Sequence, residues 1–464
     1  MNKEQTKRLE ENTPAADDIL FDFDYSGKGN AERMLKLYRE EILYCAKIKE
    51  WYVWDKIRWE RDDTEKVESF ADATIVKIMD REASIKDVVA LKAYKAFIKR
   101  SRYKSMIAEM LFFSRLQRQV ILEALDTHDR LLICKNGTLD LDTLELRISD
   151  PADLMTKCCG TEYDPDAVSP QWEQFIEEIT EGDNSLADYL QRIIGYSLSG
   201  DTSEHAFYIL YGNGFNGKGT FMNVVKELLK EYAQQGSVET IYMRRNDRPI
   251  RSDIAHMLGA RLISFTEGDQ GRHLDEGMVK TLTGEDAQNC RELYGKEFDY
   301  VPTAKFILQT NHMPEIRGTD EAIWGRIKLI PFKLHIKERD RNLTLGRKLL
   351  EELPGILNWA LKGWEDWKAN GMQTPQRIKD ETLSYRHESD IFGKFLDDKY
   401  IKDPNGKVLS SSMKYTYVDW CLEEKEKQMS DRNLWQTLAF RGFTKTKMKG
   451  SAGRERCWRG LKEK

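Results

Sequence analysis

Between Tyr211 and Phe221 the chain reads Gly212-Asn213-Gly214-Phe215-Asn216-Gly217-Lys218-Gly219-Thr220. Glycines let a tight loop turn its amide N–H groups inward. The apolar-periodic run Phe221 to Tyr232 supplies a helix N-terminus directly behind the loop, and Lys218 adds a point positive charge. These residue types at this spacing suit the oxygens of a polyphosphate, with Gly212, Gly214, Asn216, Gly217, Lys218, Gly219 and Thr220 as the expected binding residues. The same run contains Gly212-x-Gly214-x-x-Gly217, a spacing shared with dinucleotide loops. Lys218 directly after the last of these glycines favours the triphosphate, as does the lack of an acidic residue ending a second strand about 20 residues on. Gly219 stands where a hydroxyl side chain usually meets Mg²⁺, so Thr220, one place later, is the hydroxyl expected either to take the metal or to touch a phosphate.

Hydrolysis needs more than a cradle: a carboxylate to orient or deprotonate water, and groups that meet the transition-state charge. The apolar run Arg261 to Phe265 ends in Thr266-Glu267-Gly268-Asp269, which sets Glu267 at the C-terminal end of a strand, beside the expected terminal phosphate. A third run, Lys305 to Gln309, ends in Thr310-Asn311-His312, and Asn311 is suited to hydrogen-bond the attacking water. Arg326 follows in Trp324-Gly325-Arg326-Ile327.

The elements that must hold these residues are short buried strands alternating with helices: Phe207 to Tyr211, Arg261 to Phe265 and Lys305 to Gln309 read as strands of an α/β sheet. Ahead of them, Ala31 to Ala46 reads as a helix, Trp51 to Trp59 as a hairpin of aromatics, Glu65 to Leu125 as mostly helical, and Leu131 to Ile148 as a hairpin turning at Asn136-Gly137. Trp172 to Leu198 reads as helix, Arg347 to Ala369 as helix, and Thr374 to Asp390 as a linker. The expected domains are a flexible N-terminus over 1–25, an N-terminal domain over 26–165, a nucleotide-binding domain over 166–385 and a basic C-terminal domain over 390–464.

Composition narrows the class. With 464 residues, 40% hydrophobic and 33% charged, the chain has material for several cores, which excludes a disordered, collagen-like or rod-like whole. No apolar run is long enough to cross a membrane and Met1 to Glu11 has no secretory h-region; no membrane partner and a cytosolic location are expected. The seven cysteines have no CxxC spacing, so neither a zinc site nor a disulfide framework is expected. Net charge is −5, yet Ser430 to Lys464 alone carries ten Lys/Arg against three Asp/Glu, or +7, leaving −12 on the rest. That tail, with a helix over Asp431 to Phe443 and basic strands over Lys445 to Trp458, resembles a winged helix. Arg441, Lys445, Lys447, Lys449, Arg454 and Arg456 are its expected DNA phosphate contacts, and docking of a protein is the competing use.

The ordered set Gly214 to Thr220, Arg261 to Leu274, Leu282-Thr283-Gly284-Glu285-Asp286, Leu308 to Pro314 and Gly318 to Trp324 resembles the superfamily 3 helicase core, more narrowly that of the phage/plasmid primase-helicase family related to the poxvirus enzyme. Asn136-Gly137-x-Leu139-Asp140-Leu141 resembles that family's N-terminal helicase-associated domain, so the likeness runs from about Asn30 to the end. The resemblance implies an AAA+-like P-loop ATPase core with a mostly helical N-terminal domain and a C-terminal winged helix. It further implies a hexameric ring moving 3′ to 5′ on single-stranded DNA, with ATP and Mg²⁺ between subunits. Lys218 would then hold the β- and γ-phosphates, Glu267 would be the Walker B carboxylate, Asn311 sensor 1, and Arg326 the finger reaching a neighbour's nucleotide, with Arg317 as the lesser candidate. Thr266 stands where a second carboxylate often precedes Glu267, and Asp269 is a substitute metal ligand beside Thr220. Such helicases project a hairpin into the ring channel; Cys290 to Phe298 fits it, with Lys296 at the tip on phosphates, Tyr294 stacking on bases and Lys280 as a further contact. Single-stranded, forked and origin DNA and replication proteins of host or element are the partners implied, in a bacterial cytosol. No primase domain is expected in the roughly 150 residues ahead of the core. The rival function is a nucleotide-gated origin- or promoter-binding initiator that does not unwind.

Overall fold

The computed structural model describes residues 23–464 apart from 244–253, 255, 267–271, 285–286, 292–296, 317, 319 and 451–452. Ser26 caps the first helix, Gly27–Tyr38, by accepting from the Gly29 amide at 3.0 Å. The helix stops short of the expected Ala46 because Ile42-Leu43-Tyr44-Cys45 is a strand, β1, all four residues buried. It lies between β2, Glu50–Trp54, and β4, Gln119–Val120, with β3, Trp59–Arg61, at the edge. A run covered on both faces shows no alternation, so periodicity alone does not separate it from a helix. The aromatic hairpin forms as expected, with Trp54 opposite Trp59. Trp59 is 1% exposed and donates its indole N–H to the Pro151 carbonyl, so it packs a core.

Three helices, Lys66–Asp80, Val88–Ser101 and Lys104–Gln117, complete this part. The hairpin of β5, Leu131–Cys134, and β6, Gly137–Asp140, turns at Asn136-Gly137 as the sequence predicts and adds β7, Leu146–Arg147. The expected helix over Trp172 to Leu198 is two helices, Pro170–Ile179 and Asn184–Tyr196, parted by Glu181 and Gly182 at φ 56° and 74°. Asp183 caps the second helix.

Five parallel strands form the central sheet: β8, Phe207–Tyr211; β9, Ala233–Gln235; β10, Leu262–Thr266; β13, Lys305–Thr310; and β14, Ile327–Pro331, in the order β14-β8-β13-β10-β9. Two of the five were not foreseen: β9 is only three residues long, and β14 carries Lys328 and Pro331. One core holds the loop's helix, Lys218–Leu229, together with Leu132, Trp172, Tyr189 and Trp364. A second core gathers Phe207, Ile263, Phe306 and Leu329 of the sheet with Leu43, Tyr52 and Trp59 of the N-terminal part. Trp364, on the helix Leu353–Asn370, is fully buried and donates to the Leu141 carbonyl at 2.7 Å. Trp364→Ala is expected to cost about 3–5 kcal/mol in urea unfolding, from the cavity and the freed carbonyl together.

The expected linker over Thr374 to Asp390 is instead a helix, Gln376–Ser389. Its apolar anchors are only Ile378 and Tyr385, both buried, so no amphipathic stripe announces it. It is held by polar contacts: Arg377 to Asp183 at 3.1 Å, and Glu381 accepting from the Tyr211 hydroxyl at 2.6 Å at the end of β8.

Beyond it the helix Ile391–Lys399, β15 (Tyr400–Leu409), the helices Ser410–Glu423 and Asp431–Phe440, β16 (Thr444–Gly450) and β17 (Gly453–Glu463) enclose a separate core that includes Phe395, Tyr417, Leu434 and Trp458. The antiparallel sheet runs β15-β17-β16. The β15–β17 register breaks between Asp403 and Lys407, around Pro404-Asn405-Gly406.

Candidate nucleotide site

β8 runs straight into the glycine loop, and the helix Lys218–Leu229 begins at its far side. Gly214, Phe215 and Gly217 have φ of 85°, 49° and 84°, so the loop is folded through the left-handed region that glycine enters without strain. A Cβ at Gly212 would collide with the Phe332 carbonyl, the residue after β14. Asn216 is 3% exposed: its amide donates to that same carbonyl at 3.1 Å and its oxygen accepts from the Lys218 N–H at 3.4 Å. Asn216 therefore braces the loop from within. Gly219 is exposed and Thr220 half-buried, both in the first helical turn.

Lys218 is 6% exposed, and its Nζ donates to the Gly212 carbonyl at 2.5 Å and to Asn311 Oδ1 at 3.1 Å. Both partners are neutral. Burial pushes its pKa down to about 8. A buried ammonium whose partners among the described residues are neutral, facing a loop of glycines at a helix N-terminus, fits an anion of high charge.

This has a measurable consequence. The free protein holds Lys218 protonated below pH ~8 and neutral above it, and a bound polyphosphate restores the charge. Binding of ATP should take up no proton near pH 7, approach one proton per site above pH ~9, and weaken toward tenfold per pH unit in that upper range. Calorimetry in buffers of different ionisation enthalpy reads the uptake, and Lys218→Ala should abolish it.

Strand register brings Asn311 to the loop. Thr310 of β13 pairs with Tyr211 of β8, so the residue after each strand, Asn311 and Gly212, emerges at the same sheet edge. Thr266, the last residue of β10, pairs with Gln309 and is exposed at that edge. Glu267 and Asp269 lie outside the described residues, as does Arg317.

Arg326 is at the other edge. It closes the helix Glu321–Arg326 and precedes Ile327, which pairs with Phe207 at the start of β8. The length of the strand, about 13 Å from Phe207 to Tyr211, separates it from the loop of its own chain. There its Nε donates to Thr283 Oγ1 at 3.1 Å and its Nη1 to the Ala322 carbonyl at 2.8 Å.

The expected hairpin is present as β11, Gln288–Arg291, and β12, Glu297–Tyr300, with Arg291 opposite Glu297. Its tip, with Tyr294 and Lys296, lies outside the described residues. Lys280 is paired with Asp320 at 2.8 Å. At the C-terminus Arg441 pairs with Asp390 and lies over the Phe392 ring at 5.4 Å, joining that domain to the helix before it. Lys445, Lys447 and Lys449 stand opposite Trp458, Arg456 and Arg454 in the register of the β16–β17 pair. Lys445, Lys447 and Arg456 are exposed.

Sequence reasoning missed a strap over the loop. The Ile336 N–H donates to the Phe215 carbonyl at 2.9 Å, and the Arg341 guanidinium lies 3.4 Å from the Phe215 ring centroid. No local signal links residues this far apart in sequence.

A parallel sheet whose glycine loop, buried lysine and Asn311 meet at the strands' C-terminal edge is a P-loop-like α/β arrangement. The C-terminal region of NrS-1 in its apo form shares that fold, with a TM-score of 0.51 at 10% identity over 93% of this chain and 99% of that one. The D5 N terminal like family matches residues 31–181, and a family of unknown function, DUF5906, matches residues 210–326. The chain is 27% identical over 308 residues to the "Putative helicase L207/L206" of Acanthamoeba polyphaga mimivirus, covering 62% of this chain and 32% of that protein. It is 24% identical over 348 residues to the "Putative helicase 121R" of Invertebrate iridescent virus 3, covering 67% and 37%. The chain thus spans about a third of the length of these relatives. These likenesses support a resemblance to the phage and viral superfamily 3 helicase-like family. No helix among the described residues is long and apolar enough to cross a membrane.

Proposed function

We propose that the chain is an ATP-dependent DNA helicase acting in replication initiation of a phage, plasmid or other mobile element, as a hexameric ring that moves 3′ to 5′ on single-stranded DNA in a bacterial cytosol. The observation that carries this reading is the split of the site across the sheet: Lys218 and Asn311 meet at one edge while Arg326 stands at the opposite one. A protomer so built has half a catalytic site at each edge, and a ring joins the halves. Lys218 holds the β- and γ-phosphates of ATP, Asn311 orients the water, Glu267 accepts its proton, and Arg326 of one protomer meets charge developing on the terminal phosphate of the next. Mg²⁺ would be held chiefly through the substrate phosphates, with the Thr220 hydroxyl and Asp269 as its protein ligands. Mg²⁺ when bound neutralises charge on the β- and γ-oxygens.

The hairpin tip, Tyr294 and Lys296, grips the strand in the channel. Helix–strand–helix–helix–hairpin order supports a winged helix at the C-terminus, its wing carrying Lys445, Lys447, Lys449, Arg454 and Arg456 toward duplex DNA. Unwinding is tested by strand displacement on forked DNA, with Lys218→Ala as control. Displacement that needs ATP and Lys218 supports the motor; DNA binding and ATP binding with neither displacement nor turnover would leave the initiator.

A further inference from the structure

Between Asp87 and Glu109 the chain carries no acidic residue, and six cations fall in that gap: Lys92, Lys95, Lys99, Arg100, Arg102 and Lys104. They sit on the helix Val88–Ser101 and at the corner where it turns into the helix Lys104–Gln117. The first helix buries Tyr94, Phe97, Ile98 and Ser101, so the charged positions all face outward, and all six are exposed. Among the described residues, Lys95 with Glu82 at 3.2 Å is the one ion pair on this surface.

A solvated face does not account for the placement. Cations stabilise the C-terminal turn of a helix, which covers Lys99 and Arg100. Lys92 and Lys95 lie ahead of that turn. Lys104 is the first residue of the next helix, where the macrodipole disfavours positive charge. That helix has no acidic residue in its first turn, and Tyr103 at its N-cap makes no capping hydrogen bond. Tyr103 is 51% exposed, between two cations. Charges kept where they weaken the local helix, with an exposed ring among them, are explained by a ligand rather than by the fold.

We propose that this corner is a nucleic-acid contact surface, a backbone-binding face for single-stranded DNA on the N-terminal domain, separate from both the channel hairpin and the C-terminal wing. Lys92, Lys95 and Lys99 repeat at i, i+3 and i+7 and so lie along one side of the helix, about 5–6 Å between neighbours, a spacing that follows successive phosphates. Tyr103 offers a ring on which a base stacks without sequence preference. The inference rests on the DNA-motor reading and adds to it where the strand meets the protein outside the ring channel.

Fluorescence anisotropy with a labelled oligothymidine, titrated over a range of salt, is the test. The variant Lys92→Gln/Lys99→Gln/Arg100→Gln/Arg102→Gln should bind at least ~10-fold more weakly, and its salt slope should fall by about three, near 0.7 per lost contact. Its DNA-independent ATP turnover should match the parent. Lys104→Glu is the second arm: removing the cation from the helix start should raise the melting temperature while lowering DNA affinity, a pair of changes that damaged folding does not produce. Parental affinity and slope in both variants would overturn the proposal, and a surface that docks an acidic protein would give that result. If the parent chain binds no oligonucleotide at all, the DNA-motor reading falls with it; if the parent binds and the variants bind equally well, only this surface is refuted.

Discussion

Lys218→Ala is expected to lower ATP turnover at least ~100-fold, the scale for losing one preorganised charge at a reacting phosphate. The lysine is nearly inaccessible in the free protein, held by the Gly212 carbonyl and Asn311 Oδ1. Both are neutral partners for an ammonium that burial already disfavours, which is the physical basis for the proposed triphosphate contact. Removing Lys218 should spare the fold, because its polar contacts lie in the loop and at the end of β13 rather than in the core. Phosphate release against time reads the loss, and a melting temperature within a few degrees of the parent assigns it to the site. Turnover within a few-fold of the parent would mean the loop binds something other than the reacting phosphates.

Arg326→Ala should have a larger effect on turnover and a smaller one on binding: kcat down ~1000-fold or more, with ATP affinity changed only a few-fold. A finger acts on charge that appears in the transition state, so ground-state binding hardly registers its loss. Arg326 suits such a role because, among the described residues, its hydrogen bonds are to Thr283 and the Ala322 carbonyl, and it stands half-buried just ahead of β14. Single-turnover kinetics with binding measured in parallel separates the two quantities. A matching loss in affinity would make Arg326 a ground-state binding residue instead.

The glycine loop and its lysine are legible in sequence because the pattern is local: glycines, lysine and helix lie within a few residues. Asn311 is also legible, as the residue ending an apolar run, although its bond to Lys218 depends on β13 pairing with β8, which no local pattern states. The position of Arg326 relative to the loop needs the sheet order, since the strand that follows it inserts beside β8 rather than at the far end. The failures share a cause. β1 is buried on both faces and imitates a helix segment, the helix Gln376–Ser389 is tied down by ion pairs and two apolar anchors, and β15 interrupts itself at Pro404-Asn405-Gly406. In each, tertiary partners supply what the local pattern lacks. The basic corner around Lys99 escaped notice for a related reason: an acidic body of net −12 hides a run of like charge that only exposure reveals.

The most direct test of a site shared between protomers mixes two inactive proteins. Lys218→Ala keeps an intact Arg326 and Arg326→Ala keeps an intact Lys218, so an equal mixture assembled into common oligomers should contain complete sites at about a quarter of its interfaces and regain ATP turnover in that proportion. A mixture no more active than either variant alone, with co-assembly demonstrated, would contradict a nucleotide held between neighbouring chains.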